Sequence, residues 1–306
     1  MRAISVSEFG PPEVLRVVQA ADPEPAPGEV LVAIRATSVN PSDLSARQGH
    51  THRRIPDLPI PFTPGWDLTG EVVAVGAAAD TSLRPGDRVL GMIPWAPIRA
   101  RVGAYAELAA VDPAWLARLP DGLDDATGAA LPLSGLTARQ GLQLVGLGPG
   151  ARVLITGAGG AVGGFATQLA VAAGHEVLAL AGSRDRDWVS SLGPARVLDR
   201  EADLSRLGPL DGVFDAVPVG PGAAASLRPG ARAVFTRPPG VEPPAGVVYE
   251  TVFVAPDAAA LGDLARSLAA GALRIRIAEI FPLADAPRAH ARMEAGGVGG
   301  KLILTP

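Results

Sequence analysis

Residues 151–174, ARVLITGAGGAVGGFATQLAVAAG, decide the fold, because they read as a buried strand, a glycine turn and a helix in direct succession. Val153, Leu154 and Ile155 form a short apolar run between Gly148-Pro149-Gly150 and Thr156-Gly157, as in a parallel strand covered on both faces. From Val162 the apolar residues recur at Phe165, Ala166, Leu169, Ala170 and Ala173, one face of a helix that Gly174 closes. Between the two, Ala158, Gly160 and Gly163 fit the spacing [G/A]-x-G-x-x-G. Small residues at those places let the backbone turn tightly, approach a pyrophosphate and pack the helix on the strand. The helix start, through Ala161 and Val162, offers unpaired N–H groups to the anion. A second strand over 176–181 follows at the distance a dinucleotide-binding βαβ unit requires. The alternative is a tight βα turn without ligand.

Two rival readings of the stretch fail. A nucleoside-triphosphate loop ends in Gly-Lys-Ser/Thr, and the segment has no lysine. It is uncharged from 153 to 174 and long enough for a membrane span, but its central glycines and the midway change of period mark strand, turn and helix.

The second strand also bears on which dinucleotide is bound. Enzymes favouring NAD place an acid at its tip, ~20 residues past the fingerprint, to accept from the ribose 2′-OH. Here the tip is Ala181-Gly182-Ser183-Arg184, with no acid, and Ser183, Arg184 and Arg186 can donate to a 2′-phosphate. That predicts NADP(H). The competing reading has Ser183 capping a helix whose first turn, Arg184-Asp185-Arg186-Asp187, is solvated and self-paired.

A length of 306 residues suits two domains, and 48% apolar against 19% charged residues suffices for sizeable cores. The net charge of -4 gives no reason to expect nucleic acid or an anionic membrane as partner. There is no cysteine, which excludes disulfides, thiolate nucleophiles and thiolate-bound zinc. The N-terminus, MRAISVSEFGPPEV, lacks the apolar core of a signal peptide, so a cytoplasmic protein is expected.

Residues 1–119 lean to β structure, with short strand-like runs at 1–6, 29–36, 69–75, 88–92 and 104–111 between Pro/Gly turns. The loop 49–64 is long and proline-rich, as lids and binding loops often are. After Pro120 the pattern becomes α/β: a helix over 126–147 interrupted near Pro132, strands at 195–198, 212–216, 231–236 and 246–254, helical stretches at 187–192 and 223–227, and an amphipathic helix over 257–271.

An ordered set of motifs carries a resemblance across nearly the whole chain. It comprises Ser38-Val39-Asn40-Pro41-Ser42-Asp43, Pro64-Gly65-Trp66-Asp67-Leu68-Thr69-Gly70-Glu71-Val72, Arg84-Pro85-Gly86-Asp87-Arg88-Val89 and Gly103-Ala104-Tyr105-Ala106-Glu107. It continues through Leu133-Ser134-Gly135-Leu136-Thr137-Ala138 and the fingerprint to Phe281-Pro282-Leu283 and Gly300-Lys301-Leu302-Ile303-Leu304. The chain resembles the medium-chain dehydrogenase/reductase superfamily, its zinc-independent quinone oxidoreductase (zeta-crystallin-like) branch above all. The resemblance implies an α/β protein in which a doubly wound parallel Rossmann sheet over 123–271 joins a GroES-like β-barrel domain over 1–122 completed by 272–306. It also implies a homodimer through edge strands near 246–254.

By the same resemblance Asn40 and Asp43 form a polar pair at the mouth of the catalytic cleft, although Asn-Pro-Ser-Asp is also a plain turn sequence. Thr137, Val217, Phe253 and Val254 fall near the nicotinamide, and Phe253 and Val254 would look the same as core residues. Arg186 and Arg200 fall near the places of the family's 2′-phosphate ligands. Tyr105 either donates a proton to substrate or packs in a strand. Trp66 and Trp95 either line a substrate cavity or fill it. The sequence departs from the family at Asp215-Ala216-Val217-Pro218 and Arg237-Pro238-Pro239-Gly240, both where the resemblance places contacts to the nicotinamide end.

Zinc-dependent members carry Gly-His-Glu where this chain has Gly65-Trp66-Asp67. His50, His52, His175 and His290 lack partners at helical metal spacing, so no metal is expected. Reducing an isolated ketone usually calls for a metal or a strong acid at the oxygen. The sequence shows neither, and a conjugated acceptor, which spreads the developing charge, fits better. The expectation is therefore hydride transfer from NADPH to a quinone or an α,β-unsaturated carbonyl, with Asn40, Asp43 and Tyr105 as candidate catalytic residues. An enoyl reductase or other tailoring enzyme of a biosynthetic pathway, or a non-catalytic NADP(H)-binding sensor or structural protein, are the alternatives.

Overall fold

The computed structural model describes residues 1–96, 98, 102–217 and 219–306, so the departure at Pro218 lies outside the described residues. By packing the chain divides into two compact units, Met1–Leu133 with Ala255–Ala272 and Arg276–Pro306, and Ser134–Val254 with Leu273–Ile275.

The first unit opens with the antiparallel pair β1 (Arg2–Val6) and β2 (Leu15–Gln19). It continues through β3 (Val30–Val39), α1 (Pro41–Arg47), β4 (Asp67–Val75), β5 (Arg88–Met92), β6 (Leu108–Val111), β7 (Leu116–Arg118) and α2 (Asp125–Ala129). Helix α3 (Pro132–Val145) leads into the second unit. There β8 (Arg152–Thr156), α4 (Ala161–Ala172), β9 (Glu176–Leu180), α5 (Arg186–Ser190), β10 (Arg196–Leu198), β11 (Leu210–Asp215), β12 (Leu227–Phe235) and β13 (Val248–Thr251) follow. The chain then returns to the first unit with α6 (Ala258–Ala269), β14 (Ile277–Pro282), α7 (Ala286–Glu294) and β15 (Lys301–Thr305).

In the second unit the strands are parallel in the order β10-β9-β8-β11-β12-β13. Counted from β8 this is the doubly wound order 3-2-1-4-5-6, whose direction reverses between β8 and β11, the position where such sheets bind dinucleotides. Leu154, Leu178, Val213, Ala233 and Phe235 are buried in its core. The first unit holds a mostly antiparallel sheet, β14-β15-β3-β4-β5-β7, with β6 also paired to β3. Its last strand matters for the site, because β15 pairs with the C-terminal half of β3 and sets Leu302 opposite Val39.

Several elements differ from the sequence reading. The second unit begins at Ser134 instead of residue 123, and residues 255–272 pack with the first unit, because α6 lies on β7. The run 104–111 is strand only over 108–111, and residues 223–227 are not a helix, since a 3-10 turn over Gly220–Ala224 gives way to β12 at Leu227. Asn-Pro-Ser-Asp is a helix start: Pro41 occupies the first turn, where its missing N–H costs nothing, and the Asp43 carboxylate accepts from the Asn40 N–H at 2.9 Å.

Candidate active site

Where β3 ends, the first unit gathers polar side chains that have almost no access to water. Ser38, Asn40, Asp43, Asp67, Tyr105, His290 and Lys301 are each at most 4% exposed. Such groups are tolerated in an interior only when hydrogen-bonded. Asp67, at the start of β4, accepts from the Leu133 N–H at 2.6 Å, from Asn40 Nδ2 at 2.8 Å and from the Ser38 hydroxyl. Lys301, at the start of β15, donates to Asn40 Oδ1 at 2.6 Å and lies 3.5 Å from Asp67 Oδ2. Asp43 accepts from the backbone of Asn40 through Oδ2 and from Gly65 N–H through Oδ1 at 3.0 Å, and the Tyr105 hydroxyl donates to Oδ2 at 3.5 Å. Gly65 suits that contact, since its φ is +109° and a Cβ there would stand 2.6 Å from the Tyr105 ring.

The electrostatics follow from burial. Desolvation, reinforced by the Asp67 charge and opposed by the N–H donors, pushes Asp43 up to about 7. Burial likewise raises Tyr105 well above the usual phenol range, with the Asp43 and Asp67 carboxylates adding to it. Burial lowers Lys301 while the two carboxylates hold it up. His290 is driven down to about 3 by burial and by the Arg47 guanidinium, so its ring is neutral at ordinary pH.

In the second unit Gly163 packs as the fingerprint requires: a Cβ there would stand 2.3 Å from the Gly157 carbonyl oxygen and 2.7 Å from that of Thr156. Gly160 is the N-cap of α4 and supplies no side-chain cap to the N–H groups of Ala161, Val162 and Gly163. A Cβ at Gly160 would meet only the Gly157 carbonyl oxygen, at 3.3 Å, so the helix start is open to an anion. These residues fit a pyrophosphate. Ala158 is buried beneath them.

At the tip of β9, Ser183, Arg184 and Arg200 are exposed, and the Arg200 guanidinium lies over Gly182, where an added Cβ would meet its Nε at 3.1 Å. Arg186 is paired with Asp199 at 2.5 Å. The side chain of Asp185 stands against Gly159, an acid beside the loop that the tip residues alone did not reveal. Thr137 is buried on α3, Val217 is half-exposed against Gly157, and Phe253 is 80% exposed, so Phe253 is not a core residue. Asn40 and Asp43 lie in the interior of the first unit. Trp95 is fully buried and stacks on Phe62, with Trp66 tilted beside it.

Sequence reasoning passed over Asp67, Lys301 and His290 as parts of one cluster. Among the described residues no three His, Cys, Asp or Glu side chains are grouped as a metal ion would need, and no helix is long and apolar enough to cross a membrane.

Residues 26–121 match the family model described as alcohol dehydrogenase GroES-like domain, and residues 192–304 the one described as zinc-binding dehydrogenase. Over its full length the chain is 30% identical to the chloroplastic quinone-oxidoreductase QR1 of Triphysaria versicolor, 98% of which it covers. The chain belongs to the medium-chain dehydrogenase/reductase superfamily, in its quinone oxidoreductase branch. Within that superfamily it is also similar to the chloroplastic quinone-oxidoreductase homolog of Spinacia oleracea, 36% identical over 206 residues, which are 65% of this chain and 61% of that protein. The match thus spans about three fifths of that relative's length. The solved quinone oxidoreductase of Coxiella burnetii superposes with a TM-score of 0.89 at 29% identity, covering 100% of this chain and 99% of that one. The GroES-like and Rossmann architecture of these oxidoreductases is the architecture of this chain.

Proposed function

We propose that this chain transfers a hydride from NADPH to a conjugated acceptor, a quinone or an α,β-unsaturated carbonyl, without zinc. The observation that carries the reading is the uncapped start of α4 behind Gly160, a preformed anion site at the switch point of a doubly wound sheet. The N–H groups of Ala161, Val162 and Gly163 hold the pyrophosphate. Ser183, Arg184 and Arg200 surround the 2′-phosphate, with Arg186 in reserve because Asp199 already engages it. Thr137, Val217, Phe253 and Val254 border the nicotinamide in this reading.

NADPH supplies the hydride and thereby both electrons. Asn40 orients the cofactor or the acceptor oxygen through its carboxamide, while Asp43 and Tyr105 hold the backbone that presents it. Hydride arrives at a carbon conjugated to the carbonyl, the charge spreads to oxygen as an enolate or phenolate, and water returns one proton. Such delocalised charge asks only for neutral donors, consistent with a chain that has no cysteine to bind zinc. A cytoplasmic homodimer, paired through the edge strand β13, belongs to the same reading, and light scattering checks the dimer. The assay is loss of NADPH absorbance with benzoquinone, phenanthrenequinone or an aliphatic enone. Oxidation of a simple secondary alcohol with none of these acceptors reduced would refute the reaction class.

A further inference from the structure

The chain contains one lysine and one asparagine among 306 residues, and the two are hydrogen-bonded to each other, Lys301 Nζ to Asn40 Oδ1 at 2.6 Å. Of its 27 basic residues all but this one are arginine, so an arginine serves everywhere else a cation is wanted. The site of Lys301 is 4% exposed and holds a compact ammonium against Asn40 and Asp67, where the wider planar guanidinium of an arginine would meet them with a different geometry.

The contact also fixes which way the carboxamide faces. An ammonium only donates, so the Asn40 atom it meets is the oxygen, and the atom meeting the Asp67 carboxylate at 2.8 Å is the nitrogen. The second Nδ2 proton then has only long contacts, 3.3 Å to the Ser38 carbonyl and 3.4 Å to its hydroxyl. A charge on Oδ1 draws electron density from the nitrogen and strengthens the remaining N–H as a donor.

We propose that Lys301 is a positioning residue for the reaction, which fixes the orientation of the Asn40 carboxamide and strengthens its N–H groups as donors. The inference rests on the hydride-transfer reading for what Asn40 serves, but not for how Asn40 is held.

The unique residues allow a direct test. Protein grown with asparagine labelled with nitrogen-15 at the side chain gives a single pair of amide proton signals, those of Asn40. Lys301→Met removes the ammonium, and because it leaves Asp67 without its counter-ion, the charge-neutral double variant Lys301→Met/Asp67→Asn is measured beside it. Because Asp67 itself accepts from Asn40 Nδ2, Asp67→Asn alone is the reference: the expected result is that the Asn40 signals move further in the double variant than in Asp67→Asn, while both fold and bind NADPH within about twofold of each other, and that kcat falls about tenfold below that reference. If Lys301 were only the counter-ion of Asp67, the double variant would keep the kcat of Asp67→Asn, and that equality overturns the proposal. Asn40 signals unmoved from their positions in Asp67→Asn overturn it equally. Failure of the hydride-transfer reading looks different: wild type reduces no acceptor, while the displaced signals still support the hold of Lys301 on Asn40.

Discussion

The hydroxyl of Tyr105 lies 3.2 Å from Nε2 of His290, a contact between residues 185 positions apart that closes the rear of the buried polar cluster. The same hydroxyl donates to Asp43, and Tyr105 has no exposed surface. Both neighbours engage the one polar atom a tyrosine could offer a substrate. Tyr105→Phe should therefore destabilise the fold by about 1–3 kcal/mol, the cost of leaving buried partners unpaired. It should keep kcat within roughly tenfold, whereas loss of a general acid costs at least ~100-fold. Urea unfolding and steady-state kinetics on one preparation separate the two, and a kcat loss beyond a hundredfold would restore Tyr105 as the proton donor.

Asp43 and His290 flank that hydroxyl, and they pull the pH dependence of stability in opposite directions. Asp43 rises from 3.8 to about 7 in the fold, so its protonated form is favoured; its contribution is complete below pH 3.8 and is lost as pH rises through about 7. His290 falls from 6.5 to about 3, so its contribution is present above pH 6.5 and is lost as pH drops through about 3. Relative to Asp43→Asn, wild-type unfolding free energy should decline between about pH 4 and about pH 8, by at most on the order of 4 kcal/mol at ~1.4 kcal/mol per unit. Relative to His290→Gln it should decline from about pH 6.5 downward. Denaturant titrations across that range check the signs, and parallel curves for wild type and either variant would contradict the corresponding assignment.

How much of this was legible depended on distance along the chain. The strand, turn and helix of residues 151–174 are local, so their periods and glycines named them, and β8 and α4 stand where the apolar runs put them. The cluster in the first unit is assembled from β3, α1, β4, α7, β15 and the segment before β6, with Lys301 and Asn40 separated by 261 positions. No periodicity links such residues. Lys301 reads as the first residue of an ordinary strand, and Asp67 as a residue that replaced a zinc-family glutamate. The one available signal was compositional, a single lysine in an arginine-rich chain. Asp185 escapes for another reason: in sequence it reads as part of a solvated, self-paired helix turn, while the 3-10 turn over Ser183–Asp185 sets its side chain against Gly159.

Gly163→Ala tests the packing half of the fingerprint apart from ligand binding. The added methyl would meet backbone atoms of Gly157 and Thr156 at 2.3–2.7 Å, which no side-chain rotation relieves. Either α4 moves off β8 or the loop deforms, and overpacking of this kind costs about 1–3 kcal/mol. NADPH affinity should drop as well, because the loop that shifts carries the anion-binding N–H groups. Thermal unfolding without cofactor reads the first effect and fluorescence titration the second. An unchanged melting temperature would show that the loop accommodates a side chain and that Gly163 is there for another reason.

Cofactor choice turns on the surroundings of Ser183. Arg200 lies over Gly182 and Arg184 is exposed, whereas Arg186 is held by Asp199. A 2′-phosphate placed there would accept charge-assisted hydrogen bonds from Arg184 and Arg200, each worth ~1.5–3 kcal/mol. Asp185, against Gly159, is the competing influence, since an acid near the loop favours a free ribose hydroxyl and repels a phosphate. If the two guanidinium groups prevail, wild type binds NADPH more tightly than NADH. Arg184→Glu and Arg200→Glu should then each weaken NADPH by about 10-fold or more and leave NADH nearly unchanged. Asp185→Asn should tighten NADPH without affecting NADH as strongly. The measurement is a fluorescence titration of both nucleotides at fixed ionic strength, because screening by salt would mask a difference carried by exposed charges. Equal affinities in wild type, with no loss in either charge-reversed variant, would show that Arg184 and Arg200 do not select NADPH.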